Sequence, residues 1–206
     1  MSAPPTVNPV RANNAEERVR GMLKGEEDVL VPTPKGQNED GSDTTPDIEE
    51  FTRDQIRKYI NSKFKGHGLA RLVGGVLEAQ GYKVRVSPEG PDGGVDIIAG
   101  KGALGFESPR LIVQVKSTES PIDVGVLREL KGVMSTFNAD QGLIVTWGGY
   151  RSSVNNEIGR EYFKIRLWDS DELVKQLQDN YDVLSDDIQA ELPLKRIWTL
   201  VAEEEL

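Results

Sequence analysis

The chain has 206 residues, 37% of them apolar, with 25 basic and 34 acidic side chains, one histidine and no cysteine. That length suits one ordinary domain with terminal extensions, and the missing cysteines exclude disulfides, thiolate zinc sites and cysteine nucleophiles. With His67 as the one histidine, a metal site must rest mainly on oxygen ligands, which suits Mg²⁺ or Mn²⁺.

The net charge of −9 is unevenly spread. Residues 1–50 hold 5 basic and 11 acidic side chains, residues 51–170 hold 17 and 13, and residues 171–206 hold 3 and 10. A mildly basic middle therefore lies between two acidic ends. It permits a phosphate-bearing partner, and it equally describes an ordinary solvated surface. The start, Met1-Ser2-Ala3-Pro4-Pro5, has neither the basic flank nor the apolar run of a leader, and no stretch approaches the roughly 18 apolar residues of a membrane span. The expectation is a soluble cytoplasmic protein without membrane contact.

Taken in chain order, residues 14–24 read as a short helix, and residues 25–50, rich in Glu, Asp, Pro, Gly, Ser and Thr, as a flexible acidic linker. Order is expected from Phe51, with Thr52 capping a helix to 64. A second helix spans 68–80, because Leu69, Leu72, Val73, Val76 and Leu77 fall on one helical face, and Gly81 stops it. Strands are expected at 82–86, 95–99 and 111–116, the last after a Gly-rich connection over 100–110. A helix over 123–137 places Leu127, Leu130, Met134 and Phe137 at helical spacing. The apolar run 143–147 reads as an interior strand. Then come a helix over 152–162, a strand over 165–168, a helix over 170–178 and a tail with Leu192, Leu194, Ile197 and Trp198 expected to pack on the domain. The order predicts an α/β protein with a mixed sheet covered by helices. It divides into an acidic extension (1–50), a folded domain (51–180) and a C-terminal tail (181–206).

Asp96 sits inside an otherwise apolar strand, where a carboxylate is costly unless it is paired or binds a metal. On the next strand Gln114 and Lys116 are two residues apart and leave the same face, with Val113 and Val115 on the other. Two strands thus aim a carboxylate, an amide and an ammonium at one point. Asp96, the Gln114 carbonyl and the main-chain carbonyl of Val115 are the oxygen set a hard divalent cation requires. Such a cation activates water and neutralises developing charge on a phosphate, and Lys116 suits the orientation of the attacking water and the stabilisation of that charge. A structural Asp96–Lys116 salt bridge is the other reading of the same spacing.

Several motifs resemble a known family: Gly81-Tyr82-Lys83-Val84, Asp92-Gly93-Gly94-Val95-Asp96-Ile97-Ile98-Ala99 and Val113-Gln114-Val115-Lys116-Ser117. Weaker echoes are Gly142-Leu143-Ile144-Val145-Thr146 and Leu167-Trp168-Asp169. In order and spacing, residues 68–177 resemble the Mrr-type catalytic domain of the PD-(D/E)xK restriction-endonuclease-like superfamily, in the variant with glutamine before x-Lys. The resemblance implies a three-layer core with a central mixed sheet, Mg²⁺ or Mn²⁺ as cofactor, Asp96 as metal ligand, Gln114 as the second motif residue and Lys116 as the catalytic lysine. Such domains commonly carry a glutamate about eleven residues before the Gly-Tyr pair; here that place is Ala70, and Glu78, the acid of that helix, lies opposite its apolar stripe.

Around this set, Lys58, Lys63, Lys65, His67 and Arg151 are candidates for contacts to DNA. A basic solvated helix face describes the first three as well, as does a surface-loop histidine for His67. The function implied is hydrolysis of double-stranded DNA, as in restriction of foreign or modified DNA. Cutting both strands would call for two active sites and hence a homodimer. The alternatives are a repair or junction nuclease on the same core, and a non-catalytic DNA-binding or interaction module on a decayed nuclease fold.

Overall fold

A computed structural model describes residues 47–90 and 94–198. The helix expected over 14–24, most of the acidic linker, Asp92 and Gly93 lie outside the described residues. Helix α1 (Ile48–Lys63) starts four residues before Thr52. Its cap is Asp47, whose Oδ1 accepts the N–H groups of Glu49 at 2.9 Å and Glu50 at 3.0 Å. Glu49 and Glu50 in the first turn favour this start, because acids complement the positive end of the helix dipole. Helix α2 (His67–Ala79) is the most apolar, and Leu69, Leu72, Val73, Val76 and Leu77 are all buried, as their spacing predicts. Glu78 faces solvent.

Strands β1 (Lys83–Val86), β2 (Ile97–Lys101) and β3 (Glu107–Lys116) form an antiparallel meander. The Gly-rich stretch over 100–110, read as a connection, is largely the end of β2 and the start of β3. Gly102 and Gly105, both at positive φ, supply the turn between them. The period-2 pattern failed there because Glu107 and Ser108 extend the strand beyond the buried part of the sheet. Helix α3 (Val124–Thr136), capped by Asp123, leads to β4 (Gln141–Thr146), which runs parallel to β3. Helix α4 (Ser152–Ile158) and a 3₁₀ turn lead to β5 (Ile165–Trp168), parallel to β4, and α5 (Ser170–Asn180) follows. A short helix α6 (Asp186–Glu191) has no counterpart in the sequence reading.

The sheet order β1-β2-β3-β4-β5 places β4 in the interior. One core cluster joins α1, α2, α5 and α6 to the sheet face carrying Ile97, Val113, Leu143 and Val145. The other joins α3 to the face carrying Ile112, Ile144 and Ile165. The result is three layers, helices–sheet–helices. Beyond α5, Leu184, Ile188 and Leu192 are buried in the first cluster, whereas Ile197 is 62% and Trp198 97% exposed.

Candidate active site

The alternation of β3 decides which side chains meet. Leu111, Val113 and Val115 face the α1/α2 layer; Ile112, Gln114 and Lys116 face α3. Along its edges β3 alternates as well. The Lys116 carbonyl accepts the Trp147 N–H at 2.8 Å toward β4, so the neighbouring Val115 turns its polar groups toward β2. Regular β2 begins at Ile97, opposite Val113, so no β2 main chain is left to pair with Val115. The side chain of Asp96 takes that place: its Oδ2 accepts the Val115 N–H at 2.7 Å. A charge-assisted bond of this kind is worth about 1.5–3 kcal/mol. In a strand the N–H and C=O of one residue point to the same edge. The Val115 carbonyl is therefore directed to the same notch as the Asp96 carboxylate.

Gln114 is fully buried, while Asp96 and Lys116 are half-buried. Its Nε2 donates to the Gly94 carbonyl at 2.6 Å. Its Oε1 is buried and has no hydrogen-bond partner among the described residues. An unsatisfied buried acceptor costs on the order of 1–3 kcal/mol, a cost a cation would remove. The oxygens at hand (Asp96 carboxylate, Gln114 Oε1, Val115 carbonyl) suit a hard divalent ion, so the residues fit the metal that the sequence implies. No group of three or more His, Cys, Asp or Glu side chains able to hold a metal occurs among the described residues. Lys116 takes part in none of the salt bridges formed among the described residues.

The notch is braced from behind. The Asp96 carbonyl accepts the Ser87 N–H at 2.8 Å, and the Ser87 hydroxyl donates to the Val95 carbonyl at 2.6 Å. His67 Nε2 lies 2.8 Å from the Ser87 carbonyl. A carbonyl only accepts, so Nε2 carries the proton. The single histidine thus ties the start of α2 to the strand end that supports Asp96. Ala70, at the place of the usual helix glutamate, is buried in the core at 3% exposure.

The other basic candidates are dispersed. Lys58 and Lys63 on α1 and Lys65 just after it are exposed. Arg57 of the same helix is drawn to carboxylates, 3.7 Å from Asp54 and 3.4 Å from Asp171. Glu191 bonds Arg71, a bond that, with the nearby charges of Arg71 and Lys63, holds its carboxyl below the usual range. Asn61 reaches Glu119 at 3.1 Å in the loop after β3. Arg151 is exposed, and its N–H donates to the Ile122 carbonyl at 3.0 Å, so it stands at the Lys116 end of the sheet.

One acid escaped the sequence reading. A Cβ built on Gly94 (φ +84°) would lie 3.0 Å from Glu129 Oε1 and 3.2 Å from Gln114 Nε2. Only a residue without a side chain allows this approach. Glu129 comes from α3, thirteen positions after Lys116, and no local pattern announces it.

A mixed five-stranded sheet between helices, with an acid at the strand notch and Gln-x-Lys on the neighbouring strand, defines a restriction-endonuclease-like α/β protein. Residues 61–177 match the family Mrr_cat, described as restriction endonuclease, and the chain belongs to that family. Among solved structures it is similar to the DNA modification-dependent restriction endonuclease AspBHI, with 16% identity, 82% of this chain and 43% of that one covered, and a TM-score of 0.52. It is also similar to the MspJI restriction endonuclease in complex with a 27-mer oligonucleotide, at 18% identity, 85% and 42% coverage, and a TM-score of 0.48. The chain spans less than half the length of either. No curated protein sequence matches it. Among the described residues no helix is long and apolar enough to cross a membrane.

Proposed function

We propose that the chain is a divalent-metal-dependent endonuclease domain that hydrolyses phosphodiester bonds in double-stranded DNA, in restriction of foreign or modified DNA. Family membership supports nuclease chemistry of restriction type. The observation that carries the finer reading is the Asp96 carboxylate on the Val115 N–H, beside the unpartnered carbonyl of Gln114 and one residue from Lys116. Asp96, Gln114 Oε1 and the Val115 carbonyl are the ligands assigned to Mg²⁺ or Mn²⁺. When bound, that ion supplies an activated water and neutralises charge on the phosphate.

The chain's own groups divide the remaining work. The Val115 N–H fixes one oxygen of the Asp96 carboxylate. The Gly94 carbonyl fixes the amide nitrogen of Gln114 and so determines where its oxygen sits. Lys116 orients the attacking water and stabilises the extra negative charge of the pentacovalent phosphate. Lys63, Lys65, His67 and Arg151 are the groups assigned to the DNA backbone, with Lys58 further along α1. AspBHI, a modification-dependent enzyme by its name, shares the fold; modified DNA is accordingly the first substrate class to test.

The test is cleavage of supercoiled plasmid, methylated and unmethylated, with Mg²⁺ or Mn²⁺. The wild type should nick or linearise it. Lys116→Ala should lower the rate by at least about 10²-fold, the scale of losing one transition-state donor. Binding without cleavage under either metal would overturn the nuclease reading. The second reading, a DNA-binding module on a decayed nuclease fold, would then stand, and buried Ala70 in place of an acid is the observation in its favour.

A further inference from the structure

We propose that Glu129 is the second carboxylate of the metal site. The inference rests on the reading of the Asp96 notch as a cation site and extends it to a residue of α3. The geometric observation is the shared approach to Gly94: a Cβ there would meet Glu129 Oε1 at 3.0 Å and Gln114 Nε2 at 3.2 Å, both closer than ordinary van der Waals contact. The Gln114 side chain, whose Nε2 shares that approach to Gly94, is fully buried, and its Oε1 has no partner among the described residues. The Glu129 side chain is exposed and takes part in none of the salt bridges formed among the described residues. Its neighbour Arg128 turns away, 3.7 Å from Glu157.

Charge supplies the physical reason. Asp96 is one negative charge, Gln114 and the Val115 carbonyl are neutral, and Lys116 is positive. Those four groups together carry no net charge to attract a divalent ion. Glu129 makes the set net negative. Mg²⁺ is typically held by one or two carboxylates with several waters retained, so Glu129 acts either directly or through one bound water. The amide at Gln114 and the acid at Glu129 then form a complementary pair. The position on β3 that is neutral here is compensated by an acid delivered from the helix packed on the same face.

The experiment measures Mn²⁺ binding without DNA, by electron paramagnetic resonance of free Mn²⁺ and by calorimetry, on wild type, Glu129→Gln and the control Glu78→Gln. Glu78 is an exposed acid on α2 with no part in the notch. Glu129→Gln should weaken Mn²⁺ binding by at least about tenfold, the scale on which groups around a metal site act. Glu78→Gln should bind as wild type does. Glu129→Asp, which keeps the charge, should recover part of the loss. In plasmid cleavage the Glu129→Gln variant should need correspondingly more metal. Equal Mn²⁺ affinity of wild type and Glu129→Gln overturns the proposal, as does a wild type that binds no Mn²⁺. If wild type binds Mn²⁺, Glu129→Gln binds it weakly and neither cuts DNA, the role of Glu129 stands and the nuclease reading fails. Thermal melts of all variants without metal verify that exposed position 129 leaves the fold intact.

Discussion

At Gln114 a single amide carries one bonded atom and one unbonded atom, both away from solvent. Glutamate there would be the more familiar metal ligand, yet it would set a carboxylate oxygen against the Gly94 carbonyl, 2.6 Å from the present nitrogen. Burial and that repulsion both penalise the charged form, so the folded pKa of a glutamate at 114 should rise above the unfolded value of about 4.3. The folded state then binds more protons than the unfolded one, and the stability of Gln114→Glu should fall as pH rises from about 4 through the folded value. Thermal melts of wild type and Gln114→Glu in chelator, from about pH 4.5 to 8, should show a gap that widens with pH. Added Mn²⁺ should narrow it. A gap independent of pH would mean that the side chain at 114 does not face Gly94 as described.

Among the elements, β3 is anchored at both ends by side chains from outside it. Asp96 holds the Val115 end. At the other end Asp140, just before β4, accepts from Ser108 Oγ at 2.9 Å, the Arg110 N–H at 2.7 Å and the Arg110 guanidinium at 3.1 Å. The Arg110 side-chain bond first, then its N–H and Ser108, hold the Asp140 carboxyl well below the usual carboxylate range. A depressed carboxyl stabilises the fold fully above its unfolded value, about 3.9, and loses that contribution as pH falls toward the folded value. Asp140→Asn should therefore melt lower than wild type by a constant margin near neutrality, and the margin should shrink below about pH 4. A margin that persists unchanged into strong acid would show that the bonds to Asp140 act through shape alone. Much of this architecture is legible in the sequence. The i, i+3, i+4 apolar spacing locates α2 and α3, and the two-residue spacing of Gln114 and Lys116 gives their common face. The extent of β3 past Leu111 is not legible, because Glu107 and Ser108 lie beyond the covered sheet and carry no alternation. Helix α6 is hidden for a similar reason: of its six residues only Ile188 is buried, too few for a period. Glu129 is hidden because its helix spacing marks it as outward-facing, and only the packing of α3 against the sheet brings it to Gly94.

For the molecule as a whole, the net charge of −9 opposes the approach of DNA, so on the proposed reading affinity would come from local cations such as Lys63, Lys65 and Arg151 and from a metal at the Asp96 notch. On the proposed reading each chain brings one Asp96–Gln114–Lys116 set, and one set would hydrolyse one strand at a time. A double-strand break therefore requires either two encounters or two chains related by symmetry. These routes differ in their products. If single chains act alone, nicked circles should accumulate from supercoiled plasmid before linear DNA appears. If paired chains act together, raising the protein concentration past the dimerisation point should make linear DNA appear without a nicked phase, and the initial rate of linearisation should climb faster than in proportion to protein. Sedimentation at the same concentrations gives the state of the chain, and the expected outcome is nicking by monomer and linearisation by dimer. Linear DNA formed directly by a chain that sediments as a monomer would remove the case for pairing. It would also require a monomer to reach both strands in one binding event.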